Sequence, residues 1–519
     1  LAIFQPATKK SFTKLKFRHN KKIQEGIDRG DFVWFDDLVK EYGEHIRKYK
    51  KIFNPINFVK KLSATTTTRP VFNQSFAPDP RRPALNDARF RGSSGNKNIA
   101  HVLINARLWK YYGLGDLERF YQSVKLSDVR DMLLNCFLFR EGGYVSDGEL
   151  RILCSRVVNF GQRDAQAVVS IAKHKTSELF ILPHSKECYE QLLFALTDDT
   201  GLGSDTREQL QELIDIATRG MRAGGFVYKG WVIGGENSDV TVIGHKDHNT
   251  GTCLGLLWSV ESDTWSIPCS LNMSAKSRGL RDPKFDINSL SDMTRFLDSY
   301  ELSKRALLRY TASWYDPLYL CGQVRAYLTL IYRHAIKTLP GQRWEDAVTP
   351  EIYSDLLKVT KMIFQLKDIA ISRFCFSGIV GKEIEILASC DGSDILSAVR
   401  IFCRYKTGPD TFRAQYLFGS ILLIGSGDEN SVRCECHAFY MGVKMLALTQ
   451  QIIRNYTIKQ FYILSDSQIT LSGVCSLTAN QKLYYRQRNS FSRSQIEKMN
   501  ITVLYCPGTE SDSDIFTKM

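Results

Sequence analysis

Two groups of carboxylates, about two hundred residues apart, constrain this chain more than any other feature. The first group consists of Asp116, Asp198 and Asp199. The second group consists of acids that each lie at the end of an apolar run: Asp391, Glu435, Asp466 and Asp514. Carboxylates gathered in this way hold divalent cations, and a pair of such cations catalyses phosphoryl transfer on nucleic acid. The sequence therefore predicts two metal-dependent sites.

The charge of the chain favours a polyanionic partner. The 519 residues include 69 Lys and Arg against 55 Asp and Glu, a net charge of +14, and the pI is about 9.1. Nucleic acid is the commonest partner of such a protein, although charge alone also fits a soluble basic protein. The length allows several domains. No apolar run approaches the roughly 18 residues that span a bilayer.

The cysteines and the N-terminus bear on compartment and processing. None of the 13 cysteines has CxxC spacing, and the Cys434-Glu435-Cys436-His437 stretch lacks a second pair of zinc ligands. Free thiols indicate a reducing compartment. We find no signal peptide, and because the sequence starts at Leu1 we expect a fragment or a processed product.

Local patterns predict several elements. Residues 205–221 have helical periodicity, with a capping box at Asp205 and Glu208 and a stop at Gly224. The apolar run 192–196 ends in the acidic pair, which predicts a hairpin turn there. Residues 285–345 look helical. Residues 380–519 read as three strands, a helix and a strand: 384–390, 398–405, 416–423, 435–453 and 461–465.

An ordered series of motifs resembles Pao/BEL-type LTR retrotransposon polyproteins in their reverse transcriptase–ribonuclease H region. The motifs are residues 63–72, 116–122, 196–199, 254–258 and 303–308. Each motif is weak by itself, but their order matches the family over about residues 50–519.

The resemblance implies a multidomain α+β and α/β fold. A right-hand polymerase with fingers, palm and thumb is expected, followed by a ribonuclease H-like mixed-sheet domain. The expected segments are a basic N-terminal extension, fingers and palm, thumb, a short connection and the ribonuclease H-like domain: 1–50, 51–284, 285–345, 346–370 and 371–519. Whether the extension is an arm on nucleic acid or a solvated helical face stays open.

The resemblance also implies an RNA-directed DNA polymerase with ribonuclease H activity. In the palm, Asp116 and Asp198 are the expected metal ligands and Asp199 assists them. The expected nuclease ligands are the four acids of the second group, with Asp512 as the alternative to Asp514. Each site is expected to take two Mg²⁺ ions, or Mn²⁺ in their place.

Substrate contacts follow from the same resemblance. Arg69 is expected at the triphosphate, Tyr121 at the sugar 2′ position, and Leu254 with Gly255 at the primer end. The implied partners are an RNA template, a DNA primer, the RNA–DNA hybrid and dNTPs, with no membrane. The implied location is cytoplasmic, in a virus-like particle, or nuclear.

Three departures from the family pattern keep other interpretations open. Leu196 replaces an aromatic residue, Ala165-Gln166 replaces Ser-Pro, and Asn73 replaces an acid. A catalytically decayed or domesticated nucleic-acid-binding scaffold of the same fold is the main alternative. An unrelated metal nuclease or other basic enzyme is the third.

Overall fold

The computed structural model describes most of the chain. The described residues are 20–60, 68–77, 79, 81, 83–93, 95, 97–140, 148–235, 241–243, 250–268, 270–271, 285–286, 289–298, 302–338, 343–366, 369–425, 430–476, 481–511, 513 and 517. Residues 1–19, the first half of the motif at 63–72, Asp512 and Asp514 lie outside them, so the predictions there are not addressed by the structure.

The first part of the chain forms small sheets and short helices. Its elements are β1 (Phe32–Trp34), α1 (Phe35–Tyr42), β2 (Ile56–Lys60), β3 (Thr68–Phe72), α2 (Leu85–Ala88) and α3 (Ile99–Arg107). β2 and β3 form a two-stranded antiparallel ribbon. β1 joins a three-stranded sheet whose other strands come later in the chain.

The next part contains the first acidic group. Its elements are β4 (Tyr111–Glu118), α4 (Val129–Leu133), β5 (Cys136–Arg140), β6 (Leu150–Ser155), α5 (Ala165–Phe180), α6 (Lys186–Leu192), β7 (Asp199–Ser204), α7 (Arg207–Ala223), β8 (Val227–Gly235) and β9 (Thr241–Ile243). The sheet order β7-β4-β8-β9 places β4 between β7 and β8, all antiparallel. β1, β6 and β5 form the other sheet.

Helix α7 shows how local sequence sets one of these elements. Leu210, Ile214 and Ala217 are buried on one face, and the helix ends at Gly224 as predicted. Its start differs from the prediction: Thr206 is the N-cap, and its side chain accepts a hydrogen bond from the Gln209 backbone N–H. The proposed capping box at Asp205 is therefore wrong by one residue, since a threonine hydroxyl also caps well.

A third part links the two acidic groups. Its elements are β10 (Thr250–Cys253), β11 (Leu256–Ser259), β12 (Thr264–Ser266), β13 (Ser270–Leu271), β14 (Phe285–Asp286), α8 (Leu290–Asp298), α9 (Lys304–Ser313), α10 (Gly322–Thr338), α11 (Pro350–Leu366) and β15 (Ala370–Ser372). The helical character predicted for 285–345 is present in α8, α9 and α10. β15 pairs with β12, more than a hundred residues earlier in the chain.

The last part is a five-stranded mixed sheet with helices. Its elements are β16 (Glu383–Gly392), β17 (Leu396–Lys406), β18 (Phe412–Leu423), α12 (Ser431–Ile452), β19 (Thr457–Ser465), α13 (Gln468–Cys475), α14 (Leu483–Met499) and β20 (Ile501–Tyr505). The strand order is β18-β17-β16-β19-β20. The first three strands are antiparallel, whereas β19 runs parallel to β16 and β20. The predicted succession of strands and helix is present, with ends shifted by up to four residues.

Two buried arginines join the last part of the chain to the earlier sheets. Arg373, which follows β15, is fully buried and forms an ion pair with Asp263 at 2.6 Å. It also donates hydrogen bonds to the backbone oxygens of Ala106 and Trp109, both at 2.7 Å. Arg107 donates in the opposite direction, to the backbone oxygen of Leu417 in β18 at 2.9 Å. Because both arginine side chains are buried and each is bound by groups from distant parts of the chain, these contacts hold the two parts together.

We predict that Arg373→Met destabilises the whole chain. Removing one partner of a buried ion pair leaves the other charge uncompensated, at a cost of about 3–5 kcal/mol. The measurement is the free energy of unfolding by urea. Lys382→Met is the matched control, because the Lys382–Asp205 pair also crosses this boundary but is exposed. Its loss is expected to cost less than about 1 kcal/mol. Equal losses in both variants would contradict the role we assign to Arg373.

Candidate active sites

The structure brings the first acidic group together at one edge of the sheet. Asp116 on β4 lies directly opposite Asp199, the first residue of β7. Asp198 lies in the tight turn before β7, in which Leu196 and Asp199 exchange two backbone hydrogen bonds of 3.0 Å. The Leu117 N–H then donates to the Asp198 backbone oxygen at 3.0 Å. The acidic pair is thus in a hairpin turn beside Asp116, as the sequence predicts.

A β-bulge adds a lysine to this group. Asp116 pairs with Gly230 and Leu117 pairs with Tyr228, so Lys229 is the extra residue on β8. Bulges re-aim side chains near functional sites. Here the Lys229 ammonium forms an ion pair with Asp116 Oδ2 at 2.5 Å, with about a third of each side chain exposed.

A second lysine, from helix α5, contacts the turn. Lys173 on α5 is buried and donates hydrogen bonds to the Thr197 backbone oxygen at 3.1 Å and to Thr200 Oγ1 at 3.4 Å. Burial lowers the pKa of Lys173 to about 8, although the charges of Asp198 and Asp199 oppose the shift. Burial and the charges of Asp198 and Asp116 raise the pKa of Asp199 to about 7. The cluster therefore has an excess of negative charge that its two lysines only partly offset.

Residues expected to contact the nucleotide gather around Phe160. The guanidinium of Arg69 lies 4.2 Å from the centre of the Phe160 ring. Tyr121 meets the same ring edge-on at 4.9 Å, and its hydroxyl donates to Gln166 Oε1 at 2.7 Å. Burial, followed by the charge of Asp198, raises the pKa of Tyr121. Gln166, noted above as a departure from the family pattern, thus holds Tyr121 in place.

The expected primer-end residues form a strained turn between β10 and β11. Leu254 and Gly255 both have positive φ, +51° and +94°. A positive φ is sterically unfavourable for a leucine, so contacts with neighbouring residues must stabilise this conformation of Leu254. The Tyr315 hydroxyl donates to the Leu254 backbone oxygen at 2.8 Å, and its ring packs on Gly255, where any Cβ would overlap it. The turn is therefore fixed by a residue from the predicted thumb.

The second acidic group lies where parallel strands end. Asp391 is near the end of β16, and Asp466 follows β19, whose Ser465 pairs with Cys390. Glu435 lies in the first turns of α12, which Asn430 caps. Gly392 allows this approach, because a Cβ there would overlap the Glu435 backbone. Three of the four predicted nuclease acids are thus on the expected elements at one edge of the sheet.

The chemistry of these side chains fits a cation. Glu435 Oε2 and Asp466 Oδ1 are buried and have no hydrogen-bond donor. Burial raises the pKa of Glu435, and the charges of Asp466 and Asp391 add to the shift while Ser467 opposes it. Buried acceptors without donors are unstable unless a positive charge approaches them. Across the described residues, however, no three His, Cys, Asp or Glu side chains already converge as a metal-binding group.

The C-terminal stretch packs against the same edge. Ser389 in β16 shares hydroxyl hydrogen bonds with Ser511 at 3.2 Å and Ser513 at 2.9 Å. The Thr517 hydroxyl donates to Asp391 Oδ2. Asp514 and its alternative Asp512 lie outside the described residues, so the fourth nuclease acid stays a prediction.

Sequence reasoning missed Lys173, Lys229 and Gln166. The sequence could have indicated Lys173, because this lysine occupies one of the buried positions of an amphipathic helix. It could not have indicated Lys229, since a bulge depends on strand register rather than on residue type.

Residues 303–467 match the profile of a known family, described as the Pao retrotransposon-like RNaseH-like domain. Over these residues the chain is similar to the Pao retrotransposon family. The match confirms the resemblance drawn from the ordered motifs. It begins in the predicted thumb and ends just after Asp466. No curated protein matches the chain.

Solved structures of the foamy viral protease–reverse transcriptase are similar in fold. The complex with an RNA/DNA hybrid has a TM-score of 0.54 at 12% identity, covering 98% of this chain and 55% of that chain. The complex of its dRH form with double-stranded DNA has a TM-score of 0.52 at 11% identity, covering 93% and 68%. These likenesses confirm the predicted fold class, a right-hand polymerase followed by a ribonuclease H-like domain. Within the described residues, no helix has the length and apolar character to cross a membrane.

We predict that Lys229→Met tightens divalent-cation binding about two- to fivefold, because the lysine competes for Asp116 with the strength of a partly exposed ion pair. Calorimetric titration with Mn²⁺ on the full chain measures the change. Lys175→Met is the control, since Lys175 pairs with Glu178 on the surface of α5. Weaker Mn²⁺ binding by Lys229→Met would show instead that Lys229 supports the site.

Proposed function

We propose that the chain copies RNA into DNA and degrades the RNA strand of the resulting hybrid. The observation that carries this proposal is the presence of two acidic clusters on two folds within one chain. Asp116 faces Asp199 in the first cluster, and Glu435 adjoins Asp391 and Asp466 in the second. The foamy viral complexes with double-stranded DNA and with an RNA/DNA hybrid support nucleic-acid partners for this fold.

In the polymerase site, Asp116 and Asp198 would hold two Mg²⁺ ions and Asp199 would assist them. Bound Mg²⁺ would neutralise the triphosphate and make the primer 3′ hydroxyl more acidic. Lys173 keeps the acidic turn in position through the Thr197 backbone oxygen. Arg69 would contact the triphosphate of an incoming dNTP. Tyr121, which is hydrogen-bonded to Gln166, would lie beside the sugar.

In the nuclease site, Asp391, Glu435 and Asp466 would hold Mg²⁺, with Asp514 as the fourth ligand. Their role is to bring the scissile phosphate of the RNA strand to the edge of the sheet. The buried oxygens of Glu435 and Asp466 that lack a hydrogen-bond donor would be available to a cation, because no protein hydrogen bond must break first.

A non-catalytic scaffold is the second candidate, and one contact favours it. Lys229 forms an ion pair with Asp116, one of the two expected metal ligands, and so offsets its charge. Primer extension on an RNA template with Mg²⁺ and dNTPs separates the two candidates. Extension supports the polymerase, whereas hybrid binding without extension or cleavage supports the scaffold.

We predict that two single substitutions separate the activities. Asp198→Asn is expected to lower primer extension by more than about 100-fold while leaving RNA cleavage intact, because losing a direct metal ligand should cost more than losing an outer-shell partner, for which about 100-fold is the upper range. Asp466→Asn is expected to have the opposite effect. Both assays use the same RNA–DNA hybrid and the full chain.

Each variant serves as the control for the other, because both remove one negative charge from an acidic cluster. Binding to a primer–template is expected to persist in both, since phosphate contacts by Lys and Arg supply most of the affinity. If Asp466→Asn also lost extension, the two sites would not be independent.

The fourth nuclease acid is tested by a direct comparison. Asp514→Asn is expected to reduce RNA cleavage strongly, and Asp512→Asn only weakly. The two residues are two positions apart in the chain, so both substitutions should affect folding to a similar extent. A larger defect in Asp512→Asn would assign the role to Asp512.

A further inference from the structure

Ring contacts and a hydrogen bond together position Tyr121. Its ring meets Phe160 and Phe120 edge-on, with ring centres 4.9 Å and 5.4 Å apart. Such contacts are favourable over separations of about 4.5–7 Å, so by themselves they allow the phenol to slide. The hydroxyl donates to Gln166 Oε1 at 2.7 Å, and a hydrogen bond of this kind is confined to about 2.5–3.0 Å. Gln166 therefore defines where the hydroxyl end of the ring lies.

Gln166 is itself fixed by the helix on which it lies. Its Nε2 donates to the Ser170 hydroxyl oxygen at 2.9 Å, one turn further along α5. Two residues before Gln166, the Asp164 carboxylate accepts hydrogen bonds of 3.1 Å and 2.9 Å from one nitrogen of Arg89, with at most 22% of either side chain exposed. The Gln166 amide is thus bound at both its oxygen and its nitrogen, on a helix whose start is anchored.

Tyr121 lies near both groups that a nucleotide is expected to meet. Burial raises the pKa of its phenol, the charge of Asp198 adds to the shift, and the charge of Arg69 opposes it. Arg69 also lies 4.2 Å from the centre of the Phe160 ring, which Tyr121 contacts from another side. A nucleotide with its triphosphate at Arg69 and its metal at Asp198 would therefore have its sugar beside Tyr121.

The residue type at position 166 is what permits the contact with the tyrosine hydroxyl. The family pattern that the sequence resembles has Ser-Pro where this chain has Ala165-Gln166. Proline has no side-chain hydrogen-bond acceptor, so it cannot bind a tyrosine hydroxyl in this way. Gln166 therefore gives this chain a constraint on Tyr121 that the family pattern does not supply.

We propose that Gln166 is a positioning residue which, through the Tyr121 hydroxyl, sets how strongly the polymerase site prefers deoxyribonucleotides to ribonucleotides. The proposal rests on the proposed function for the reaction itself. The two nucleotide classes differ at the 2′ position, where a ribonucleotide carries a hydroxyl. A phenol that is held in place excludes this hydroxyl, whereas a phenol that can slide makes room for it. Metal and triphosphate contacts are the same for both classes, so Gln166 acts on the preference between them.

The test compares one dNTP with the matching rNTP on the same primer–template, using the full chain. Gln166→Met removes the amide and keeps a long, unbranched side chain with a similar helix propensity. The measured quantity is kcat/KM for the dNTP divided by kcat/KM for the rNTP. This ratio is expected to fall about three- to tenfold, the effect of losing one hydrogen bond.

The matched control is Gln211→Met, the same substitution on another helix. Gln211 on α7 also donates from its side chain to a residue four positions later, the exposed Asp215, at 2.9 Å. This variant is expected to keep the wild-type ratio, because its hydrogen bond lies outside the polymerase site. An equal fall of the ratio in both variants would overturn the proposal.

A double-mutant cycle separates action through Tyr121 from a general effect on the site. Tyr121→Phe removes the same hydrogen bond from its other end, so it is expected to lower the ratio by a similar factor. Adding Gln166→Met to Tyr121→Phe is expected to change the ratio no further, because the contact is already lost. If the two effects multiplied instead, Gln166 would act by another route and the proposal would fail.

Failure of this proposal and failure of the proposed function have different signatures. Normal dNTP extension with a wild-type ratio in Gln166→Met would overturn the role of Gln166 and leave the polymerase standing. A wild-type chain that extended no primer with dNTPs would reject the proposed polymerase, and the role of Gln166 with it.

Discussion

The buried ion pair between Arg373 and Asp263 is the contact on which the arrangement of the two acidic clusters depends. Arg373 follows β15, and Asp263 immediately precedes β12, the strand with which β15 pairs. The pair therefore fixes the segment before the five-stranded sheet onto the sheet that contains β12. Arg107 completes the lock from the other side by binding backbone oxygens near β18. One hydrophobic core continues across this junction, from Val102 in α3 to Ile501 in β20.

The two acidic clusters differ in the groups that stabilise their closely spaced carboxylates. In the first cluster, Lys229 and Lys173 place positive charge beside the aspartates. In the second cluster, hydroxyl groups contact the acids instead, Ser467 at Glu435 and Thr517 at Asp391. Because hydroxyl groups carry no charge, the negative charge of the second cluster is not offset, and a bound cation would stabilise it more than the first cluster.

Much of this organisation is predictable from sequence, for identifiable reasons. Helix α7 follows from apolar spacing and its glycine stop, and the acids at Asp391 and Asp466 follow from apolar runs that end in a carboxylate. Burial of Arg107 and Arg373 is not predictable in this way, because arginine is usually exposed and its partners are distant backbone oxygens. The Lys229 contact depends on a bulge, and the Tyr121–Gln166 bond joins residues 45 positions apart. Such contacts require the register and packing of the folded chain.

The buried junction holds the two proposed catalytic sites at a fixed separation. The most direct measurement is the position of RNA cuts made while a primer is extended and then stalled at a defined template base. A rigid junction predicts a narrow distribution of RNA lengths between the primer 3′ end and the cut, and this distribution should shift base by base with the stall point. A broad distribution that does not follow the stall point would contradict the account.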